Sequence, residues 1–178
     1  MKCVLIAGSN RRQASSTLLL RYMAKRLQEK GHEAEVLELF QLKLPLYSPD
    51  DDYAGNREVA ALDKSVADAD AIILATPEYH AGMSGVLKNA LDFLEKSHFS
   101  GKPVLLASSA GGAVGVSSLS QMQTIIRNLH GLVSPEWVSL GGDARQFGDD
   151  GEPAASGVKE RVERALEAFE QLAVRMSR

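Results

Sequence analysis

AIILATPEYHAGMSGVLKNALD, residues 71–92, is the stretch that decides the fold of this chain. Its first five residues form a continuous apolar run, typical of a strand that is buried on both faces of a parallel sheet. After the glycines, apolar residues recur at helical spacing from Val86 to Leu94. A strand that ends in Pro-Glu-Tyr-His and leads into a helix builds a lip at the carboxyl edge of the sheet, where open α/β sheets bind ligands. We therefore expect a planar ligand on this lip.

The size and composition predict one globular domain. The chain has 178 residues and a formal net charge of −3, which suits one substantial core and is short for two. We predict a single domain over residues 1–178. The sequence has no stripe of basic residues of the kind that would suggest a nucleic-acid partner. The first apolar run, residues 3–8, is too short for a secretory signal or a membrane span, so we expect a cytoplasmic protein without a membrane partner.

The chain has one cysteine, Cys3. A lone cysteine forms no intramolecular disulfide, and we interpret Cys3 as a packed thiol in the first strand. This favours cofactor chemistry over cysteine chemistry. No metal site is predicted.

Apolar runs alternate with amphipathic stretches along the chain, which is the pattern of a doubly wound α/β sheet. Strands are predicted at 2–7, 33–39, 71–76, 103–108 and, more weakly, 137–140. Helices are predicted at 16–30, 56–67, 84–97, 116–130 and 157–175. Gly31 and Gly131 are typical of helix C-termini.

The turn after the first predicted strand is rich in hydroxyl groups. They belong to Ser9, Ser15, Ser16 and Thr17, with a guanidinium from Arg11 or Arg12 nearby. The N–H groups at the start of the following helix attract anions, and hydroxyls with a guanidinium suit the oxygens of a phosphate monoester. In the alternative interpretation, Ser15 or Ser16 is merely the N-cap and the arginines are solvated.

This turn lacks both common nucleotide signatures, G-x-G-x-x-G and G-x-x-x-x-G-K-[ST]. A Rossmann dinucleotide fold and a P-loop NTPase are therefore disfavoured. A Ser/Thr-rich, glycine-poor turn fits one terminal phosphate better than a bridging pyrophosphate. FMN carries such a phosphate.

A second candidate loop, SSAGGAVGV, follows the fourth predicted strand at residues 108–116. Small residues let backbone N–H groups approach a ligand edge closely, and the alternative is a plain flexible turn. Together with the turn at 77–82, this loop supplies walls for a flat heterocycle from two adjacent strand ends.

With these motifs the chain resembles the NADPH-dependent FMN reductase family of flavodoxin-like proteins, which includes quinone, chromate and azo-dye reductases. The matching residues are Gly8-Ser9-x-Arg11 with the Ser/Thr group, 44–47 with Asp50 or Asp51, Pro77-Glu78-Tyr79 with Gly82 and Gly85, 87–92, and 102–104 leading into Gly111-Gly112. The family usually has Asn after the Tyr and Pro before the second glycine, where this chain has His80 and Ser84.

The resemblance implies a three-layer α/β fold with a five-stranded parallel sheet in the order 2-1-3-4-5 and helices on both faces. It implies FMN as the cofactor, NADPH as the co-substrate, and a homodimer or homotetramer. The implied FMN contacts are Ser9, Arg11, Ser15, Ser16 and Thr17 at the phosphate, Pro77, Glu78, Tyr79 and His80 at the isoalloxazine, and Ala110, Gly111 and Gly112 at its pyrimidine edge, with Ser108 added to this set.

We predict no catalytic acid or nucleophile, because the flavin carries hydride from NADPH to a small acceptor such as a quinone, azo compound, chromate or free flavin. We therefore expect turnover to take a ping-pong course, in which nicotinamide and acceptor use one exposed face of the flavin in turn. We interpret Glu78 as pairing with a neighbouring helix or subunit rather than as a catalytic carboxylate. Two alternatives remain, a flavodoxin-type electron carrier and a non-enzymatic flavin-binding protein, although such carriers are usually more acidic than this chain.

Overall fold

The computed structural model describes residues 1–176, in which strands and helices alternate. Ser177 and Arg178, the last residues of the predicted domain, lie outside the described residues. The strands are β1 (Lys2–Ala7), β2 (Glu33–Glu38), β3 (Ala71–Pro77), β4 (Pro103–Ala110) and β5 (Leu132–Gly141). The helices are α1 (Ser15–Glu29), α2 (Arg57–Ala67), α3 (Gly85–Asp92), α4 (Lys96–Phe99), α5 (Val116–Asn128) and α6 (Ser156–Met176), with a 3₁₀ turn at Gly142–Arg145. None of these helices is long and apolar enough to cross a membrane.

All five strands pair in parallel, in the order β2-β1-β3-β4-β5. This confirms the predicted flavodoxin-like order. β3 is buried along its whole length, as its continuous apolar run predicts. Because the strands are parallel, their carboxyl ends share one edge of the sheet, and the loops after β1, β3 and β4 are neighbours there.

An apolar core fills each face of the sheet. The core beneath α1 and α6 includes Met23 and Phe169, and the core beneath α2, α3 and α5 includes Leu87 and Met122. All four side chains are fully buried. Helices on both faces confirm the predicted three layers.

The predicted helix 84–97 is wrong in length, since the structure divides it into α3 and α4. The break lies at Glu95, whose side chain accepts a hydrogen bond from the backbone N–H of His98. In return, the N–H of Glu95 donates to Nδ1 of His98 at 3.0 Å. His98 Nε2 lies 2.9 Å from Asp63 Oδ1 on α2. A reciprocal capping box, tied to a neighbouring helix, therefore starts a new helix within the apolar pattern.

The predicted fifth strand, 137–140, is too short because β5 begins at Leu132 and passes through Pro135. Proline has no N–H for the ladder and is confined to edge strands and bulges. β5 is an edge strand, and its register with β4 shifts between Val104 and Leu106. Both conditions for a strand proline are met.

The predicted helix 116–130 ends earlier, at Asn128. The left-handed conformation after this helix is adopted by His130, with a φ of 63°, and not by Gly131, whose typical role at helix C-termini predicts it. Gly131 is required for another reason, since a Cβ there would lie 2.6 Å from Cγ2 of Ile126. Gly31, in contrast, has the predicted left-handed φ of 84°.

Candidate active site

The predicted cofactor residues gather on the loops after β1, β3 and β4, a surface that we call the carboxyl-edge site. Ser9 and Arg11 lie in the turn after β1, and Ser15, Ser16 and Thr17 begin α1. Pro77, Glu78, Tyr79 and His80 end β3 and enter its turn, and Ser108, Ala110, Gly111 and Gly112 end β4 and enter its loop. Because β1, β3 and β4 are adjacent strands, all three loops border one surface.

The turn after β1 starts with a close approach of two backbones. The N–H of Gly8 donates to the carbonyl of Ala75 on β3 at 2.7 Å. A Cβ at Gly8 would lie 2.7 Å from that same oxygen and 2.8 Å from Cβ of Leu87, so only glycine fits. The buried Ser9 then holds the turn, because its Oγ accepts the N–H of Arg11 at 3.1 Å.

The start of α1 has no side-chain cap. The N-cap residue is Ala14, whose methyl group accepts no hydrogen bond. This contradicts the alternative in which Ser15 or Ser16 is the N-cap. Ser16 is fully buried, and its hydroxyl has no hydrogen-bond partner within residues 1–176. A buried unpartnered hydroxyl in the first turn of an uncapped helix fits the oxygens of a bound anion.

The two arginines of this turn take different places. Cζ of Arg12 lies 5.2 Å from the centre of the Phe40 ring, a cation–π contact. Arg11 is exposed, and its backbone is held by Ser9. Within residues 1–176 the guanidinium of Arg11 has no ion-pair or aromatic partner, so Arg11 is the arginine available to a phosphate at the start of α1.

The lip after β3 is a two-residue hairpin turn. Tyr79 and Gly82 exchange both backbone hydrogen bonds, each at 2.9 Å. His80 and Ala81 have φ values of 50° and 60°, so both central residues are left-handed, as in a type I′ turn. Asparagine and histidine are both enriched in this conformation, and asparagine adopts it more routinely because its short polar side chain can hydrogen-bond locally. Tyr79 is 50% exposed, and its side chain is accessible at the lip.

Ser84, which stands where the resembled family has proline, joins three parts of the site. Its Oγ donates to the carbonyl of Gly8 and accepts the N–H of Leu87 at 3.2 Å, which caps α3. Its own N–H donates to Oγ1 of Thr76 at 2.9 Å. The serine therefore connects the turn after β1 with the end of β3 and the start of α3.

Glu78 holds the lip to the next helix. Its Oε2 accepts the N–H of Ser118 in the first turn of α5 at 2.8 Å, and its own N–H donates to the carbonyl of Ser109 at 2.7 Å. A carboxylate there also interacts favourably with the helix dipole. Of the two predicted partners of Glu78, a neighbouring helix is the one observed.

The loop after β4 rests on buried hydroxyls. Oγ of Ser108 donates to the carbonyl of Gly115 at 2.7 Å and lies 3.1 Å from Oγ of Ser139 on β5. Ser139 in turn accepts the N–H of Gly115 at 2.7 Å. The hydroxyl of Ser108 thus supports the loop from beneath, while Gly111 and Gly112 are exposed at its tip.

The residues that brace these loops from outside were missed in the sequence. Oε1 of Gln121 on α5 accepts the N–H of Met83 at 3.0 Å. At Gly141, a Cβ would lie 1.9 Å from the carbonyl oxygen of Ala113, so this glycine lets β5 approach the loop after β4. The pair Gly141-Gly142 in the sequence could have indicated this close approach. Gln121 lies in an ordinary helical pattern, and nothing in that pattern indicates its contact.

The thiol of Cys3 takes no part in this arrangement. Cys3 is fully buried, and burial raises the pKa of its thiol well above the usual value. A thiol that stays protonated is a poor nucleophile. Within residues 1–176, no group of three or more His, Cys, Asp or Glu side chains is placed to hold a metal ion.

Solved structures share this fold. The FerB flavoenzyme NAD(P)H:(acceptor) oxidoreductase of Paracoccus denitrificans superposes with a TM-score of 0.85 over 99% of both chains, at 20% identity. A flavodoxin from the domain Archaea has a TM-score of 0.66 over 97% of this chain and 99% of its own, at 13% identity. At these identities the likeness shows the fold alone.

Sequence relatives are more specific. The chain is 37% identical over 155 residues to an NADPH azoreductase of Bacillus sp. (strain OY1-2), covering 86% of this chain and 84% of the relative. It is 35% identical over 144 residues to an FMN-dependent NADPH-azoreductase of Staphylococcus aureus (strain USA300), covering 78% and 76%. Residues 1–145 match the family described as NADPH-dependent FMN reductase. The predicted resemblance is thereby confirmed, and with it FMN as cofactor and NADPH as reductant: this chain belongs to the NADPH-dependent FMN reductase family.

Proposed function

We propose that this protein is an FMN-dependent reductase that transfers reducing equivalents from NADPH to azo compounds, quinones, free flavins or chromate, with FMN at the carboxyl-edge site. One observation carries the placement of FMN: the buried, unpartnered hydroxyl of Ser16 in the first turn of the uncapped helix α1. When bound, FMN supplies hydride chemistry. The azoreductase names of the sequence relatives support the azo compounds among the acceptors.

The residues of the chain divide the binding of FMN between them. Hydroxyls and N–H groups of Ser9, Ser15, Ser16 and Thr17 meet the phosphate together with Arg11, because charged acceptors favour several donors at once. The ring lies along Pro77, Glu78, Tyr79 and His80, and its pyrimidine edge meets the backbone of Ala110, Gly111 and Gly112. Ser108 acts from beneath by fixing that loop.

The proposed kinetic course is ping-pong. The lip and the loop after β4 hold the edge of a flat ring and leave one face open to both nicotinamide and acceptor. Two substrates that share one face bind in succession. An open face with few buried polar groups discriminates poorly between acceptors, which supports a broad range of them.

We also propose that the protein works as a homodimer or homotetramer. Apolar side chains stand exposed beside the site: Leu46 is 83% exposed and Tyr47 is 39% exposed. They belong to a loop ordered from within, since Asn89 on α3 donates to the carbonyl of Pro45 at 2.7 Å and accepts the N–H of Tyr47 at 2.9 Å. An ordered loop with exposed apolar side chains suits a subunit contact.

Steady-state kinetics of the FMN-loaded protein test this function. With NADPH varied at several fixed concentrations of an azo dye, and then of a quinone, we expect turnover with both and parallel double-reciprocal lines. Intersecting lines would contradict the shared face. Tight FMN binding without NADPH oxidation would favour the electron carrier or the non-enzymatic flavin-binding protein.

A further inference from the structure

Two cations gather on one aromatic ring beside the turn after β1. Cζ of Arg12 lies 5.2 Å and Nζ of Lys43 lies 4.9 Å from the centre of the Phe40 ring. Arg12 comes from the turn after β1 and Lys43 from the loop after β2. Neither side chain has a carboxylate partner within residues 1–176. The two cations therefore lie at most about 10 Å apart, roughly one Debye length at 0.1 M salt, so both attract an anion that binds beside them.

The same lysine lines a cavity of about 210 Å³ between the turn after β1, the loop after β2 and α3. Its apolar walls come from Leu39, Leu42, Leu44 and Val86, and two amide side chains, Asn10 in the turn after β1 and Asn89 on α3, line it beside the lysine. Apolar walls with a few polar groups are typical of sites for small organic ligands. At about 210 Å³ the cavity is smaller than the roughly 300–1,000 Å³ of most ligand pockets, so it would take one end of a larger ligand, and the cations near it suit a phosphate on that end.

We propose that this cavity and the Arg12–Lys43 pair bind the adenosine 2′-phosphate end of NADPH and thereby select NADPH over NADH. The 2′-phosphate is the group by which the two nucleotides differ, and it brings charge of about −1.5 to −2 at neutral pH if it titrates like other phosphate monoesters. The inference rests on the proposed function, since it concerns the reductant of that site. Asn10 places the cavity against the same turn that would hold the FMN phosphate.

The geometry gives the arginines separate tasks. Arg12 is held over Phe40, whereas the exposed Arg11 of the same turn has no side-chain partner within residues 1–176. Arg11 would therefore serve the FMN phosphate and Arg12 the NADPH phosphate. Losing one charge-assisted contact weakens the binding of a phosphate roughly tenfold or more.

Calorimetry with 2′,5′-ADP and 5′-AMP on the FMN-loaded protein tests the proposal without turnover. Arg12→Ala and Lys43→Ala should each weaken 2′,5′-ADP binding roughly tenfold or more, with 5′-AMP and FMN affinity nearly unchanged. The matched controls are Arg127→Ala on α5 and Lys96→Ala on α4, which remove the same charges at the opposite edge of the sheet and should change neither.

Three results would overturn the proposal: no binding of 2′,5′-ADP to the unaltered protein, equal weakening of both nucleotides, or a loss of FMN affinity instead. In steady state, the same two changes should lower kcat/KM for NADPH and leave that for NADH unchanged. If the unaltered protein oxidised neither nucleotide, the proposed function would be wrong. Calorimetry with 2′,5′-ADP would still show separately whether this cavity binds the phosphate.

Discussion

A buried hydroxyl without a partner destabilises a free protein, and Ser16 carries one at the start of α1. A capped helix would have placed an acceptor at Ala14 instead. Both features lower the stability of the empty site and raise the affinity for an anion that supplies the missing acceptors. At the scale of single residues, Ala14 and Ser16 are therefore not the residues that would stabilise the fold most, and such departures are typical of binding sites.

Replacement of Ser16 by alanine should therefore act in opposite directions on folding and on binding. Removing an unsatisfied buried hydroxyl leaves the free energy of unfolding of the FMN-free protein unchanged or raises it. FMN affinity should fall roughly tenfold or more, because a hydrogen bond to a charged group contributes about 1.5–3 kcal/mol. Urea unfolding and FMN titration measure the two effects.

Ser134 provides the matched control. Its hydroxyl is also buried and unpartnered within residues 1–176, but it lies in the first part of β5, opposite the start of β4 and far from the carboxyl edge. Ser134→Ala should match Ser16→Ala in unfolding and leave FMN affinity unchanged. If both variants bound FMN as the unaltered protein does, Ser16 would not contact the phosphate.

At the scale of elements, Glu78 connects the lip after β3 to α5. Glu78→Ala removes the acceptor of the Ser118 N–H, and we expect a loss of about 1 kcal/mol in the free energy of unfolding, similar to the loss of a helix cap. Glu78→Gln keeps an oxygen acceptor and should lose less stability, and the pH profile of turnover by its FMN-loaded form should be nearly unchanged. Abolished turnover in the glutamine variant at intact stability and intact FMN affinity would instead identify Glu78 as a catalytic carboxylate.

The lip itself stores backbone strain. His80 has a φ of 50° and Ala81 a φ of 60°, a left-handed region that is unfavourable for residues other than glycine and is tolerated best by asparagine and aspartate. His80→Asn should raise the free energy of unfolding by up to about 1 kcal/mol, as measured in urea. A lower stability of this variant would mean that the imidazole makes a contribution that outweighs the strain.

Several elements could be predicted from local pattern, and others could not. β3 follows from the apolar run 71–75, because a buried parallel strand needs no alternation. The division between α3 and α4 depends on His98 reaching Asp63 of another helix, and no local pattern contains that contact. In the site, the hydroxyl-rich turn was visible in the sequence, but the separation of Arg11 from Arg12 depends on Phe40, which comes from the loop after β2.

At the scale of the whole molecule, Glu152 links the two helices on one face of the sheet. Its carboxylate lies 2.9 Å from Nζ of Lys25 on α1 and 2.7 Å from Nζ of Lys159 on α6. Hydrogen bonds from Lys159 and Lys25 lower the pKa of Glu152 from 4.5 to about 2. The carboxylate is partly exposed, so salt screens the effect.

A carboxyl group whose pKa is lower in the folded state stabilises the fold above its unfolded pKa and loses this effect as the pH falls. For Glu152 the loss should occur between pH 4.5 and about 2. Glu152→Gln should therefore be less stable than the unaltered protein above this range and converge with it below, and high salt should reduce the difference. Glu167→Gln, at an exposed position on α6, is the control and should show no such convergence.

The most direct test of the whole account is the absorption spectrum of the FMN-loaded protein under anaerobic conditions, before and after NADPH is added. We predict a yellow protein that bleaches rapidly with NADPH and regains its colour when an azo dye or quinone is added. A protein that takes up no FMN, or one that stays yellow in excess NADPH, would contradict the account.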